Sequence, residues 1–185
     1  MIFLPDGFVR LFLLWYGGLF GGYRQSASAE CGCKKRAVNA ENRQYIGRSR
    51  GGKNTKIHAL VNGNGQIVDF LLTGGQTYDA KVAVELLKKV DISGSHILAD
   101  KEYGAASIRE YITEHGGEYT IPPRKNIKEP WEYDRERYKH RHVIECFFNR
   151  LKAFRRVAIR YDKLASSFCA FVWVASIVLL SLPRS

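Results

Sequence analysis

Residues 138–161 read YKHRHVIECFFNRLKAFRRVAIRY, where one carboxylate, Glu145, stands among His140, Arg141, His142, Arg150, Lys152, Arg155, Arg156 and Arg160. Advancing about 100° per residue, Tyr138, Arg141, Glu145 and Lys152 fall in one stripe about 60° wide. Val143, Ile144, Phe147, Leu151 and Phe154 fall on another side, with Phe148 just beyond them, and make a core-facing stripe. The pattern predicts one helix that buries one side and carries a Tyr-Arg-Glu-Lys line beside it. Glu145 has an ordinary reading here. It can pair with Arg141 four residues earlier, an interaction worth about 0.2–0.5 kcal/mol. Whether the glutamate serves its basic neighbours, or they are arranged around it, depends on the rest of the chain.

The chain has 185 residues, enough for one domain with a real core and barely enough for two. Its 45% hydrophobic and 25% charged content place it with globular rather than disordered proteins. A net charge of +11 favours a polyanionic partner, nucleic acid or an acidic membrane, over the alternative of a merely basic soluble protein. Cys31 and Cys33 form a CxC rather than the CxxC of a zinc knuckle. All four cysteines read as reduced thiols of a cytosolic protein, and Cys146 and Cys169, in apolar helical stretches, read as small hydrophobes. Leu11 to Tyr16 is too short to span a bilayer, and Phe168 to Leu182 falls below the roughly 18 residues a span needs. The first run has no basic segment before it and no good cleavage site after it, so a signal peptide is not expected. A buried C-terminal helix is predicted from about Leu164 to Leu182, with no membrane partner.

Residues 1–30 are Gly- and aromatic-rich without a clean period and are read as irregular. Residues 31–54 are basic and are read as an exposed loop. Order begins at residue 55. TKIHALVN (55–62) and QIVDFLLT (66–73) alternate and flank a GNG turn, which predicts a hairpin. AKVAVELLKKV is a helix that Thr77 or Asp79 can cap. SHILAD (95–100) is a short apolar run ending in a carboxylate, as suits a buried central strand. AASIREYITEHGG is a helix stopped by Gly116 and Gly117. EYTIPP is a strand ended by Pro122 and Pro123, and a polar connector leads to the opening helix. A hairpin followed by alternating helices and strands implies a mixed α/β sheet with helices on its faces.

Asp100 therefore ends a buried strand at a sheet edge, where α/β proteins place ligands, although an aspartate there can equally begin a turn or cap a helix. A strand-end aspartate and a helix glutamate together supply hard oxygen donors on rigid elements, which a divalent-metal site needs. The histidines add little: His58 reads as a packed polar residue, and His140 and His142 point apart across the helix.

Tyr138, Arg141, Glu145 and Lys152 reproduce the Y-x2-R-x3-E-x6-K spacing of DDE transposases from bacterial insertion sequences. IGRSRGGKNTKIHALVN, FLLTGGQTYD, ILADKEYG, the long IPPRKNIKEP…YDK segment and SFCAFVWVASIVLL resemble the catalytic domain of the insertion-sequence five family, within the wider insertion-sequence four-like group. The resemblance runs from about Ile46 to Leu182. It implies a ribonuclease-H-like fold, as in retroviral integrases, over residues 55–185. It also implies DNA strand cleavage and strand transfer by two aspartates and a glutamate holding two Mg2+ or Mn2+ ions. Asp100 matches the second aspartate and Glu145 the glutamate, as catalytic residues and metal ligands. Tyr138, Arg141 and Lys152 match the other signature positions. With Arg48, Arg50, Arg155 and Arg156 they are the expected DNA contacts, where charge-assisted hydrogen bonds position the backbone. The implied partners are transposon-end and target DNA, with a second copy or a full-length transposase, and the implied setting is the bacterial cytoplasm at the nucleoid.

The sequence departs from the family at its first aspartate. Gln25-Ser26-Ala27-Ser28 matches the end of the family phrase, and counting back puts the aspartate near Gly17; no Asp or Glu lies between Arg10 and Glu30. The first strand is therefore expected to be missing or degraded. Gly-Gly-Leu codons read one nucleotide later can encode aspartate, so residues 1 to about 24 read as an N-terminally truncated or frame-shifted segment. Asp6 and Asp69 are stand-ins by type only. Weakened metal binding and impaired strand transfer are expected. Specific end recognition is in doubt, since the family's usual N-terminal DNA-binding region is not seen, whereas salt-sensitive DNA binding should survive. A non-enzymatic DNA-binding transposase remnant is the alternative from another class, and an unrelated nuclease of the same fold is a third.

Overall fold

Ile57, Ala59 and Val61 point to one side of a strand and His58 and Leu60 to the other, and all five are buried. That strand is β4 (Gly52–Val61), and the two-sided burial makes it part of a sheet covered on both faces. The computed structural model describes residues 11–13, 15–19, 44–49 and 52–181, with side chains for 44–47 and 54–181. β1 is Leu11–Leu13, β2 Trp15–Leu19, β3 Gly47–Ser49, β5 Ile67–Gly74, β6 His96–Ala99 and β7 Glu118–Thr120. β5 runs antiparallel to β4, with Ile57 opposite Leu72 and Ala59 opposite Phe70. This is the predicted hairpin. Its turn is tied by Asn62 Oδ1, which accepts from the amides of Asn64 and Gln66 at 3.0 Å, and Gly65 supplies the positive φ of 70°.

β2 lies antiparallel on the other side of β4, while β1 runs parallel to β6, and β6 parallel to β7. Only residue 14 separates β1 from β2, so one stretch of chain links both sheets, and the strands follow in the order β5, β4, β2/β1, β6, β7. This backbone arrangement corrects the expected loss of the first strand: residues 11–13 and 15–19, inside the segment read as irregular, pair centrally. The strand period was hidden because glycines interrupt it. Gly47–Ser49 and the start of β4 likewise turn part of the expected basic loop into strand, paired Gly47 to Asn54.

Two hydrophobic cores cover the faces. Leu98 of β6 faces the first, with Ile144, Phe147, Phe148 and Leu151 of α4 (His142–Lys152), Val157 of α5 (Arg155–Ala158) and Phe168 and Val172 of α6 (Ala165–Ser181). Ile97 and Ala99 face the second, with Leu86 and Leu87 of α1 (Asp79–Leu87) and Ile108 and Ile112 of α2 (Ala106–Glu114). The architecture is mixed α/β with helices on both faces, as read from the sequence and consistent with the ribonuclease-H-like expectation.

Two local expectations are corrected. The opening stretch is not one helix: α3 (Arg135–Lys139), α4 and α5 follow one another with turns at 140–141 and 153–154. Asp134 caps α3 by accepting from the amides of Glu136 and Arg137. Neither Thr77 nor Asp79 caps α1. Tyr78 holds that position without a side-chain bond, and Asp79 is drawn instead to Lys56, 2.7 Å away. Cys169 is half-buried but Cys146 is exposed, so only the former behaves as a small hydrophobe; Cys31 and Cys33 lie outside the described residues. No helix among the described residues is long and apolar enough to cross a membrane.

His58 is the packed polar residue that its strand position suggested. Its ring nitrogens lie 3.1 Å from the Tyr103 hydroxyl and 2.9 Å from Thr73 Oγ1. Burial pushes its pKa from 6.5 down to about 4, with Lys56 adding to the shift and Asp79 opposing it. The unfolded chain therefore takes up the proton first. Stability is full above pH 6.5 and falls between pH 6.5 and about 4, by on the order of 3 kcal/mol from this group alone. Urea midpoints measured across that range should show the decline, and His58→Gln should flatten it.

Candidate active site

β6 ends at Ala99, buried on both faces, and Asp100 follows at the rim. Its backbone turns into a short 3-10 segment, Lys101–Tyr103, which its carboxylate caps by accepting from the Lys101 amide at 2.7 Å. Arg124 closes that turn from outside, donating to the carbonyls of Lys101 and Glu102 and pairing with the Glu102 carboxylate at 2.9 Å. Asp100 keeps its second oxygen for Arg141, whose Nη1 lies 3.3 Å away. The other guanidinium nitrogen, Nη2, pairs with Glu145 one turn along the helix. Arg141 thus forks between the two carboxylates that the sequence singled out, and all three are half-buried.

Tyr138 completes the group. Its ring centroid lies 5.7 Å from the Arg141 guanidinium carbon and the ring meets Tyr133 edge-on. Burial pushes its pKa up to about 12, with Asp100, Tyr133 and Glu145 adding to the rise and Arg141 opposing it. The hydroxyl therefore stays protonated at neutral pH. Lys152, at the end of α4, and Arg155 and Arg156, in α5, are exposed, and Arg156 also pairs with Asp162 at 3.7 Å. Arg48 lies in β3, with its side chain outside the described residues, as is Arg50 entirely. Asp69 stays apart from the group: it pairs with Lys89 at 2.9 Å. Asp6 is outside the described residues. Arg160, one of the basic residues of the opening stretch, is buried, and its guanidinium donates to Thr55 Oγ1 and to the carbonyls of Asp162 and Lys163. It holds the α5–α6 link to β4 rather than facing solvent.

Tyr103 and Arg124 were not seen in the sequence as parts of this site. Tyr103 anchors the turn after Asp100 through its hydroxyl on His58, across 45 residues of chain. Arg124 reaches the same turn from beyond β7. Both contacts are long-range and leave no local pattern. Tyr103→Phe leaves a buried His58 nitrogen without its partner and should cost about 1–3 kcal/mol in chemical denaturation.

A family model described as "Transposase DDE domain" matches residues 33–180. The chain belongs to the DDE transposase family. A protein of Brucella ovis named "Putative transposase for insertion sequence element IS6501" is 34% identical over 124 residues, 65% of this chain and 93% of that protein. The catalytic core domain of BIV integrase covers 76% of this chain and 82% of its own, at 15% identity and a TM-score of 0.43.

DDE transposases use divalent metal ions, which several oxygen donors hold. Two carboxylates converge, and a single arginine engages both. Among the described residues no group of three or more His, Cys, Asp or Glu side chains stands close enough to hold a metal ion. Gly17, at the position expected for the family's first aspartate, sits in β2 opposite Lys56 and brings no carboxylate. In this arrangement the residues do not fit a two-metal centre, which requires several oxygen donors free of other cations.

Proposed function

We propose that this DDE transposase domain acts on DNA in the transposition of an insertion sequence, with Asp100 and Glu145 as its catalytic carboxylates and as two of the ligands that an intact metal centre would need, and that its strand cleavage and transfer are impaired. The observation that carries the reading is the convergence of Asp100, from a strand end, and Glu145, from a helix, on one guanidinium. The impairment follows from the glycine near the first aspartate's position. Tyr138, Arg141, Lys152, Arg155 and Arg156 form the DNA-facing side, with Arg48 and Arg50 as further contacts. Charged groups there hold phosphates and position the backbone without reading its bases. DNA is the partner and the nucleoid the setting. A second copy or a full-length transposase is the proposed protein partner, favoured by the exposed Trp173, Val174, Ile177 and Val178 on uncharged α6.

The second reading, a remnant that binds DNA without cutting it, is favoured by the missing three-donor cluster among the described residues. A nicking assay on supercoiled DNA with Mg2+ separates the two. Slow nicking that is lost in Asp100→Asn and Glu145→Gln supports the transposase reading. Nicking that survives both carboxylate substitutions removes the proposed site. Binding to random duplex should weaken steeply with salt, and the combined Lys152→Ala and Arg155→Ala variant should lower the slope of log K against log salt by about 2.

A further inference from the structure

We propose that Tyr45 and Tyr161 form a stacking platform for the bases of single-stranded DNA, with the exposed Arg155, Arg156 and Lys163 beside it to hold the backbone. The inference rests on the reading of DNA as the partner given above and deepens it, since the contacts described there hold phosphates alone. Its observation is a tyrosine kept in an unfavourable backbone conformation with its ring in solvent: Tyr45 is 42% exposed at a φ of 47°.

Glycines apart, Tyr45 alone among the described residues has a positive φ. A bulky side chain there crowds the backbone, and such a residue persists only where its surroundings leave the chain no other course. Here they do. The Tyr45 carbonyl accepts from Thr55 Oγ1 at 2.8 Å, and that oxygen accepts from Arg160 Nη1 at 2.6 Å. Thr55 and Arg160 are both buried. On one side of Tyr45, Gln44 Oε1 accepts from the Ala165 amide at 3.1 Å. On the other, Gly47 lies so close to Gly75 that a Cβ there would meet its backbone nitrogen. The turn is fixed at three points while the ring it carries stays exposed. A glycine or an asparagine would hold this φ at less cost, so the backbone by itself does not call for a tyrosine.

The same bonds bring a second exposed ring to this place. Arg160 precedes Tyr161, which is 47% exposed, and Ala165 follows Leu164, which is 54% exposed. Tyr45, Tyr161 and Leu164 therefore emerge along one seam between residues 44–47 and the α5–α6 link. Cations rim it. Arg155 and Arg156 in α5 and Lys163 in the link are exposed. Arg156 is steadied by Asp162 at 3.7 Å and by the Phe171 ring, whose centroid lies 4.5 Å from its guanidinium carbon. Aromatic rings set among cations suit a single strand, because every unpaired base offers a π-face and every phosphate a charge. In a duplex the bases are already stacked on one another and only the charges are offered.

Fluorescence anisotropy of labelled oligo-dT, with EDTA present so that no metal ion takes part, tests this against a labelled duplex of random sequence. Tyr45→Gly, which suits the φ and so keeps the turn, should bind oligo-dT about tenfold more weakly than the unsubstituted chain, the scale of one lost base stack. Tyr161→Ala should do the same. Tyr45→Phe, which keeps a ring, should bind like the unsubstituted chain. Duplex binding should change in none of them, and neither should the salt slope for oligo-dT, since no phosphate contact is removed. Unchanged oligo-dT affinity in Tyr45→Gly or in Tyr161→Ala overturns the platform, as does an equal loss toward the duplex. If the unsubstituted chain holds the duplex and not oligo-dT, the platform falls and the DNA reading stands. If it holds neither, both fall.

Discussion

Burial of β6 on both faces is the constraint on which the site depends. Leu98 fills the core under α4, α5 and α6, while Ile97 and Ala99 fill the core under α1 and α2. A charged side chain cannot enter such a strand without a large desolvation cost. The first carboxylate that the chain can carry, Asp100, is therefore placed at the rim, where it can cap a turn and meet a neighbour. The same packing fixes the neighbour. Ile144, Phe147, Phe148 and Leu151 seat α4 against the Leu98 face, and the helix period then directs Arg141 and Glu145 toward the strand end.

The turn after Asp100 is held from three directions. Its own carboxylate caps it, Tyr103 reaches inward to His58, and Arg124 closes it from outside. Each contact joins segments far apart in the chain. The polar atoms under the site are satisfied by one another: His58 bonds to Tyr103 and Thr73, while Lys56 bonds to Asp79 and to the Thr77 carbonyl. Such a network is costly to open, because each buried group that loses its partner pays its desolvation alone. Asp79 shows how tertiary contacts override a local signal. Its position reads as a helix cap, yet the lysine on β4 takes its carboxylate and the helix begins uncapped.

Much of the fold was legible because its signals are periodic. The hairpin alternates, α1 and α4 carry apolar residues at helical spacing, and the glycines at 116 and 117 stop α2. Asp100 and Glu145 were legible by type and position, and the spacing of Tyr138, Arg141, Glu145 and Lys152 matched a family signature. The first strand was not legible, since its glycines break the alternation that marks a strand and its pairing to β4 and β6 comes from the partners. The breaks around residues 140 and 153 were also missed. The apolar stripe continues through them, and only docking against α6 and the sheet decides where the helix turns.

The sequence by itself determined which carboxylates and cations the protein has, the faces on which helices and strands carry them, and the absence of an acidic residue near Gly17. These are properties of residue type and period. Only the tertiary structure decided that Arg141 lies between Asp100 and Glu145 rather than beside one of them. On the helix alone Arg141 and Glu145 are an ordinary exposed pair. The approach of a strand end from the other side makes the guanidinium shared, and that approach is set by the packing of two cores against the linked sheets.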